Sequence, residues 1–384
     1  MPRKVCVVIT ARPSYARIRS ALEAIRLHPD LELQLVVAAS ALLDRYGNAF
    51  QVIENEGFHI DRRVYMILEG ENLVTSAKST GLGLAEMATV FDNLRPDVVV
   101  TIADRYETMA TAVAAAYLNI PLVHVQGGEI TGSIDEKVRH AITKLADIHF
   151  VATKQAAERV IRMGERSECV FVTGCPSIDI AMQIMKSPMP VSDLIESSGG
   201  VGAPLDLDEP YIVVLQHPVT TEYAQARQHI EETLFAIRDS NVQTLWFWPN
   251  VDAGSDGTSR GIRAFREHYS LPHVHFFKNL PPDAFLRLVY NSRCIVGNSS
   301  VAIRECEVFG VPAVNIGSRQ TGRDHGRNVV DVNYDRHEIV DTLQRRLSLG
   351  RLASDQLYGD GNAGARMAEL LASVPLTTEK RLAY

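Results

Sequence analysis

The stretch that most constrains this chain runs from Val98 to Thr153, VVVTIADRYETMATAVAAAYLNIPLVHVQGGEITGSIDEKVRHAITKLADIHFVAT. An apolar run ends in Ala103-Asp104-Arg105-Tyr106-Glu107, a helical pattern follows, and a second run ends in His124-Val125-Gln126-Gly127-Gly128-Glu129. Asp135, Glu136, Arg139 and His140 then open another helix ahead of a third run. Short continuous apolar runs alternating with helical segments predict parallel strands covered by helices. In such open sheets ligands bind at the carboxyl ends of the strands. The ionisable groups collected after each run are therefore the first candidates for chemistry.

The same unit recurs along the chain. Val5–Thr10 reads as a strand, Arg12 sits in the loop after it, and Ile18, Leu22 and Ile25 recur at helical spacing. Leu33–Ala39 is the next strand, and Leu84, Met87, Phe91 and Leu94 mark one face of a helix that Arg95-Pro96-Asp97 stops. Gly81-Leu82-Gly83, near that helix's start, lacks the rest of a dinucleotide fingerprint and follows no strand, so NAD is not implied. Val170–Gly174 adds a strand, with Pro176 suited to an early helical position.

From Lys186 to Pro210 the composition turns to Pro, Gly, Ser and Asp, the texture of a linker. Strand-like runs resume at Tyr211–Gln216, Thr244–Trp248, Val274–Phe277, the segment ending at Val296, and Val311–Ile316. The expected organisation is an α/β protein of two Rossmann-like domains facing a cleft. Residues 1–185 form the N-terminal domain, 186–210 the linker and 211–360 the C-terminal domain. Residues 361–384 form a helix and tail packing back on the N-terminal domain.

Composition removes several function classes. A length of 384 residues suits two or three domains. The net charge of −7 comes without a run of Lys or Arg, which speaks against nucleic acid as a partner. No apolar stretch reaches about 18 residues, the length needed for a membrane span. The N-terminus enters a strand directly without a signal-peptide core, so a cytoplasmic location is expected. Cys6, Cys169, Cys175, Cys294 and Cys306 show no C-x-x-C spacing and read as reduced core thiols. Nucleophile elbows, zinc-protease helices and Walker loops are absent from the sequence.

Individual residues suggest a nucleotide-type ligand and proton chemistry. Gly297-Asn298-Ser299-Ser300 ends a strand and precedes the helical pattern Val301–Phe309. Free backbone N–H groups and hydroxyls there suit a phosphate, although serine is also an ordinary N-cap. Glu305, about one turn on, suits a ribose diol or simply the helix dipole. Arg319 and Arg323 lie in a Gly-rich loop and form either a diphosphate fork or solvated loop arginines. His217, in Gln216-His217-Pro218, titrates near neutrality. Of the carboxylates Asp104, Glu107, Glu129, Asp135 and Glu136, two facing one substrate could divide acid and base roles. Glu107 and Glu136, as first-turn acids, are expected to serve their helices, and His124 is expected to be a core histidine.

Eight motifs in order carry a resemblance: Asp104-Arg105-Tyr106-Glu107, His124 to Glu129, Ile134-Asp135-Glu136 with Arg139 to Lys144, Gly174-Cys175-Pro176-Ser177, Gln216 to Thr220, Pro249-Asn250-Val251-Asp252-Ala253-Gly254, Gly297 to Ser300, and Gly317-Ser318-Arg319-Gln320. With these the chain resembles the hydrolysing UDP-N-acetylglucosamine 2-epimerases from Val5 to about Asp331. The resemblance implies two domains of the GT-B glycosyltransferase type and a UDP-sugar as substrate. It implies anti elimination of UDP to a 2-acetamidoglycal, then addition of water to give N-acetylmannosamine. No redox cofactor or metal is implied, and a homodimer or homotetramer is expected.

By position, the resemblance puts Asp104, Asp135, Glu129 and His217 in catalysis. It puts Arg12, Asn250, Ser299, Ser300, Glu305 and Arg319 on the substrate. Gln126 departs from the family pattern, since an amide stands where some relatives carry a catalytic glutamate. Arg12-Pro13-Ser14-Tyr15 replaces the commoner Arg-Ala-acid-Tyr, and Ala103 stands where many relatives have Gly. Alternatives are the same chemistry on UDP-2,4-diacetamido-2,4,6-trideoxy-glucose, a GT-B glycosyltransferase, or a nucleotide-sugar sensor without catalysis.

Overall fold

Continuous β-branched runs make the strands of both halves, because parallel strands buried on both faces require apolar side chains at every position. A computed structural model describes residues 1–44, 47–69, 73–131, 135–187, 199–202, 204–249, 255–277 and 280–383. The chain divides into two units, one of residues 1–129, 135–179 and 358–384, the other of 130–134 and 180–357.

The first unit holds seven parallel strands in the order β3-β2-β1-β4-β5-β6-β7. They are β1 Arg3–Ile9, β2 Leu31–Ala38, β3 Arg62–Val64, β4 Val98–Ile102, β5 Leu122–Val125, β6 Ile148–Val151 and β7 Val170–Val172. The covering helices are α1 Arg12–Leu27, α2 Ala49–Asn55, α3 Leu73–Leu94, α4 Tyr106–Tyr117, α5 Asp135–Leu145 and α6 Lys154–Arg162. Successive strand residues point to opposite faces. Accordingly Val5, Val7 and Ile9 join the core beneath α1, while Cys6 and Val8 join the core with Met87 of α3 and Ala110 of α4. Gly81 and Gly83 lie inside α3 rather than near its start. A Cβ at Gly83 would come within 2.3 Å of Met66 Cε, so this glycine lets α3 pack closely.

The helix Ala363–Ser373 packs Met367, Ala368 and Leu371 into the α1 face of this core. Its first N–H groups have no cap of their own and are taken by Asp179, from Ala363 N at 2.9 Å and Gly364 N at 2.7 Å. The tail is pinned at Lys380, whose ammonium donates to Glu165 at 2.6 Å. Lys144 and His149 donate to the same carboxylate.

The second unit also holds seven strands, in the order β14-β13-β12-β9-β10-β11-β8. They are β8 Val201–Gly202, β9 Ile212–Leu215, β10 Thr244–Phe247, β11 Val274–Phe277, β12 Cys294–Gly297, β13 Ala313–Ile316 and β14 Val329–Val332. All pair in parallel except β8, which lies antiparallel on β11. Trp246, Phe276, Ile262 and Leu343 fill its core. The expected linker thus contributes an edge strand, and its residues 188–198 and 203 lie outside those described. Among the described residues no helix is long and apolar enough to cross a membrane.

Each sheet has one place where its strand order reverses. In the first unit it lies between β1 and β4, and in the second between β9 and β12. In doubly wound sheets the crevice outside such a switch point is the ligand site. Arg12 and Asp104 follow β1 and β4; His217 and Asn298-Ser299 follow β9 and β12.

Candidate active site

In the first unit the rim is organised around a buried arginine. Arg139, on α5, is 1% exposed and pairs with the Asp104 carboxylate. Its Nη1 also donates to the Glu129 carbonyl at 2.8 Å and to Glu136 Oε2 at 3.3 Å. Asp135 opens α5 four residues before Arg139, on the same helical face. Arg139 thus ties the Asp104 carboxylate, from the β4–α4 connection, to the Glu129 main chain, from the β5–α5 connection, on the helix that Asp135 opens. Arg139 had no role in the sequence reading. Its signal was present all the same: an arginine one turn after a helix-opening aspartate, in a chain with a carboxylate after the neighbouring strand.

His124 holds this arrangement from beneath. Fully buried on β5, it places Nε2 2.8 Å from the Ala103 carbonyl and Nδ1 3.1 Å from Thr143 Oγ1. A carbonyl only accepts, so Nε2 carries the proton and the Thr143 hydroxyl donates to Nδ1. Burial pushes its pKa down to about 3, which keeps it neutral. Ala103 has a left-handed φ of +64°, a conformation that non-glycine residues seldom adopt. The bond from His124 fixes it and so aims the next residue, Asp104.

The acids expected to serve their helices are both paired locally. Glu107 is fully buried and takes Arg105 Nη2 at 3.1 Å, and Glu136 pairs with Arg139 and with His140 at 2.9 Å. Gln126 is buried with φ +67°, and its Nε2 lies 3.1 Å from Cys175 Sγ. Arg12 is the first residue of α1, and burial lowers its pKa.

In the second unit Gly297 ends β12 at φ +134°, and a Cβ there would lie 2.1 Å from the Leu215 carbonyl oxygen. Only glycine allows β12 and β9 to close to this distance. Ser299 follows, and its Oγ accepts the Val301 N–H at 3.4 Å as an N-cap. The expected continuous helix over 301–309 is instead a 3₁₀ turn, Ser300–Ala302, and a separate helix of five residues, Glu305–Phe309. Arg304, at φ −93° and ψ −71°, separates the two. A phosphate at Ser299 and Ser300 would thus be met by N–H groups and hydroxyls, with little macrodipole behind them.

His217 is buried, and its backbone is bonded on both sides by the Asn298 amide. Arg319 Nη1 donates to the Asn298 carbonyl at 3.1 Å. Arg323 is no solvated loop residue: it is buried and its Nη1 donates to Gln320 Oε1 at 2.8 Å. Glu305 is 6% exposed, and among the described residues its buried Oε2 has no hydrogen-bond partner. Asn250, with residues 251–254 of its motif, lies outside the described residues.

Two doubly wound α/β units, each with polar residues at its switch point, define a two-domain protein of Rossmann type. Residues 23–372 match the family model described as UDP-N-acetylglucosamine 2-epimerase. A Legionella pneumophila protein named UDP-N,N'-diacetylbacillosamine 2-epimerase (hydrolyzing) is 34% identical, covering 99% of this chain and 98% of its own. A Neisseria meningitidis UDP-N-acetylglucosamine 2-epimerase is 29% identical, covering 97% and 95%. The chain belongs to the UDP-N-acetylglucosamine 2-epimerase family. A crystal structure of UDP-GlcNAc 2-epimerase from Neisseria meningitidis, bound to UDP-GlcNAc, shares the fold, with a TM-score of 0.81 at 17% identity over 96% of this chain and 99% of that one.

Proposed function

We propose that this chain is a hydrolysing 2-epimerase that converts UDP-N-acetylglucosamine and water to N-acetylmannosamine and UDP. The observation that carries the reading is the buried ion pair of Asp104 with Arg139 at the rim of a family member, on the helix that Asp135 opens. It supplies a carboxylate for proton transfer, paired with a buried cation.

In the proposed reaction one carboxylate, Asp104 or Asp135, removes the C2 proton. The C1–O bond breaks, its electron pair leaves with the β-phosphate oxygen of UDP, and a C1–C2 double bond forms. Water then adds its oxygen to C1, and a proton returns to C2 on the opposite face. Gln126 cannot take a proton, so this work falls to the aspartates, with Glu129 behind them. Charge grows on the departing UDP, and fixed donors aimed there lower the barrier. Arg319, Ser299, Ser300 and Arg12 take that part, and His217 protonates the leaving phosphate. The unpartnered Glu305 Oε2 suits the hydroxyls of a ribose, which would supply the bonds a buried carboxylate otherwise lacks.

A second reading keeps the chemistry and changes the sugar to UDP-2,4-diacetamido-2,4,6-trideoxy-glucose. It is favoured by the 34% identity to the diacetylbacillosamine enzyme, against 29% to the enzyme named for UDP-N-acetylglucosamine. Incubation with each UDP-sugar in deuterated water, with the released sugar read by NMR, decides between them. A product without deuterium at C2 would refute the elimination in either case, and no sugar release from either would refute both readings.

A further inference from the structure

We propose that Asn298 is a positioning residue that locks His217 and Arg319 into one register at the carboxyl ends of β9 and β12; this rests on reading those two residues as contacts of the diphosphate. The ladder between these strands ends with Gly297 opposite Leu215, and the Asn298 N–H donates to the Leu215 carbonyl at 3.2 Å. From there the Asn298 side chain continues the pairing. The His217 N–H donates to its Oδ1 at 2.7 Å, and its Nδ2 donates to the His217 carbonyl at 2.8 Å. A backbone N–H only donates and a carbonyl only accepts, so the amide has one possible orientation. Pro218 restricts His217 to extended backbone from the other side.

The main chain of the same residue reaches the second loop. Its carbonyl accepts from Arg319 Nη1 at 3.1 Å and from Gln320 Nε2 at 2.9 Å, and Gln320 Oε1 accepts from Arg323 Nη1 at 2.8 Å. One fully buried residue, through its side chain on one side and its main chain on the other, thus joins the loop after β9 to the loop after β13. Among short polar side chains, only asparagine carries a donor and an acceptor side by side. Serine cannot make both bonds to His217. Aspartate keeps the acceptor and turns a second oxygen against the His217 carbonyl.

Double-mutant cycles on the full chain test the proposal. UDP is titrated by calorimetry and turnover is followed by sugar release, with folding confirmed by thermal melting. Asn298→Ser is expected to weaken UDP about tenfold, and to have no further effect when added to Arg319→Ala. Turnover falls ten- to a hundredfold, and Asn298→Ser causes no further fall in a His217→Gln background. A merely structural asparagine would cut each background by the same factor. Additive losses, or wild-type UDP affinity and turnover in folded Asn298→Ser protein, overturn the proposal. Should Asn298→Ser not fold, Asn298→Asp carries the same cycles. If the wild-type chain binds no UDP, the functional reading fails while the joint is still tested. The His217 ring resonances, assigned by their loss in His217→Gln, must then shift in the Asn298 variant while those of His149 stay in place. Unmoved His217 resonances overturn the joint.

Discussion

Replacing Asp104 by asparagine separates chemistry from architecture, because the two costs differ in size. Arg139 is 1% exposed and Asp104 14%, so deleting one partner outright, as in Asp104→Ala, leaves a buried cation and is expected to cost about 3–5 kcal/mol. Asparagine keeps an acceptor oxygen towards the guanidinium. Arg139 also retains the Glu129 carbonyl at 2.8 Å and the Glu136 carboxylate at 3.3 Å. What Asp104→Asn loses in stability is therefore the difference between a charge-assisted and a neutral hydrogen bond, about 1–2 kcal/mol, or a few degrees in melting temperature. Losing the proton-transfer group is expected to cut kcat about a hundredfold or more, equivalent to roughly 2.7 kcal/mol of barrier. UDP affinity is expected to hold within about threefold, since Ser299, Ser300, Glu305 and Arg319, assigned to the nucleotide, lie in the other unit. Kinetics, thermal melting and UDP calorimetry on the two variants together check this. Turnover within about threefold of wild type in Asp104→Asn would refute the assignment, whatever its stability.

Glu305→Gln should leave melting temperature unchanged or slightly raised, because it removes a buried charge lacking a partner at Oε2, yet weaken UDP about tenfold in calorimetry. Gly297→Ala, with its Cβ 2.1 Å from the Leu215 oxygen, should lose about 3 kcal/mol or more in urea unfolding. Stability should also depend on Glu165. Burial alone would raise its pKa, but hydrogen bonds from His149, Lys144 and Lys380 overcome this and hold it down at about 2, against 4.5 for an ordinary glutamate. A depressed carboxyl contributes stability above about pH 4.5 and loses it as pH falls towards 2, on the order of 3 kcal/mol in all. Urea midpoints at pH 7 and pH 3 should therefore converge in Glu165→Gln relative to wild type.

What could be read from the sequence follows from the range of the forces involved. Strands such as β1 and β4 announce themselves, because five consecutive positions in each are buried and the signal lies in consecutive residues. The three-residue β3 and the two-residue edge β8 carry no such run, and most of their residues are exposed. The break at Arg304 escaped for the opposite reason. The apolar spacing of residues 301–309 fits a helix, and tertiary packing at the end of β12 overrides that local pattern.

The candidate site divides along the same line. Residues ending a strand at a switch point, such as Asp104, His217 and Ser299, are marked by position, since the strands before them are legible and the topology gives their ends a purpose. The residues that hold them are not marked. Arg139 finds Asp104 across two connections, and Asn298 finds His217 across 81 residues of sequence. Each is one polar letter whose meaning depends on which strands become neighbours. Once the order β12-β9 is known, an asparagine after β12 and a His-Pro after β9 stand opposite each other, and the paired amide bonds follow. Sheet order, rather than any further motif, is the information that turns a list of candidate groups into a supported site.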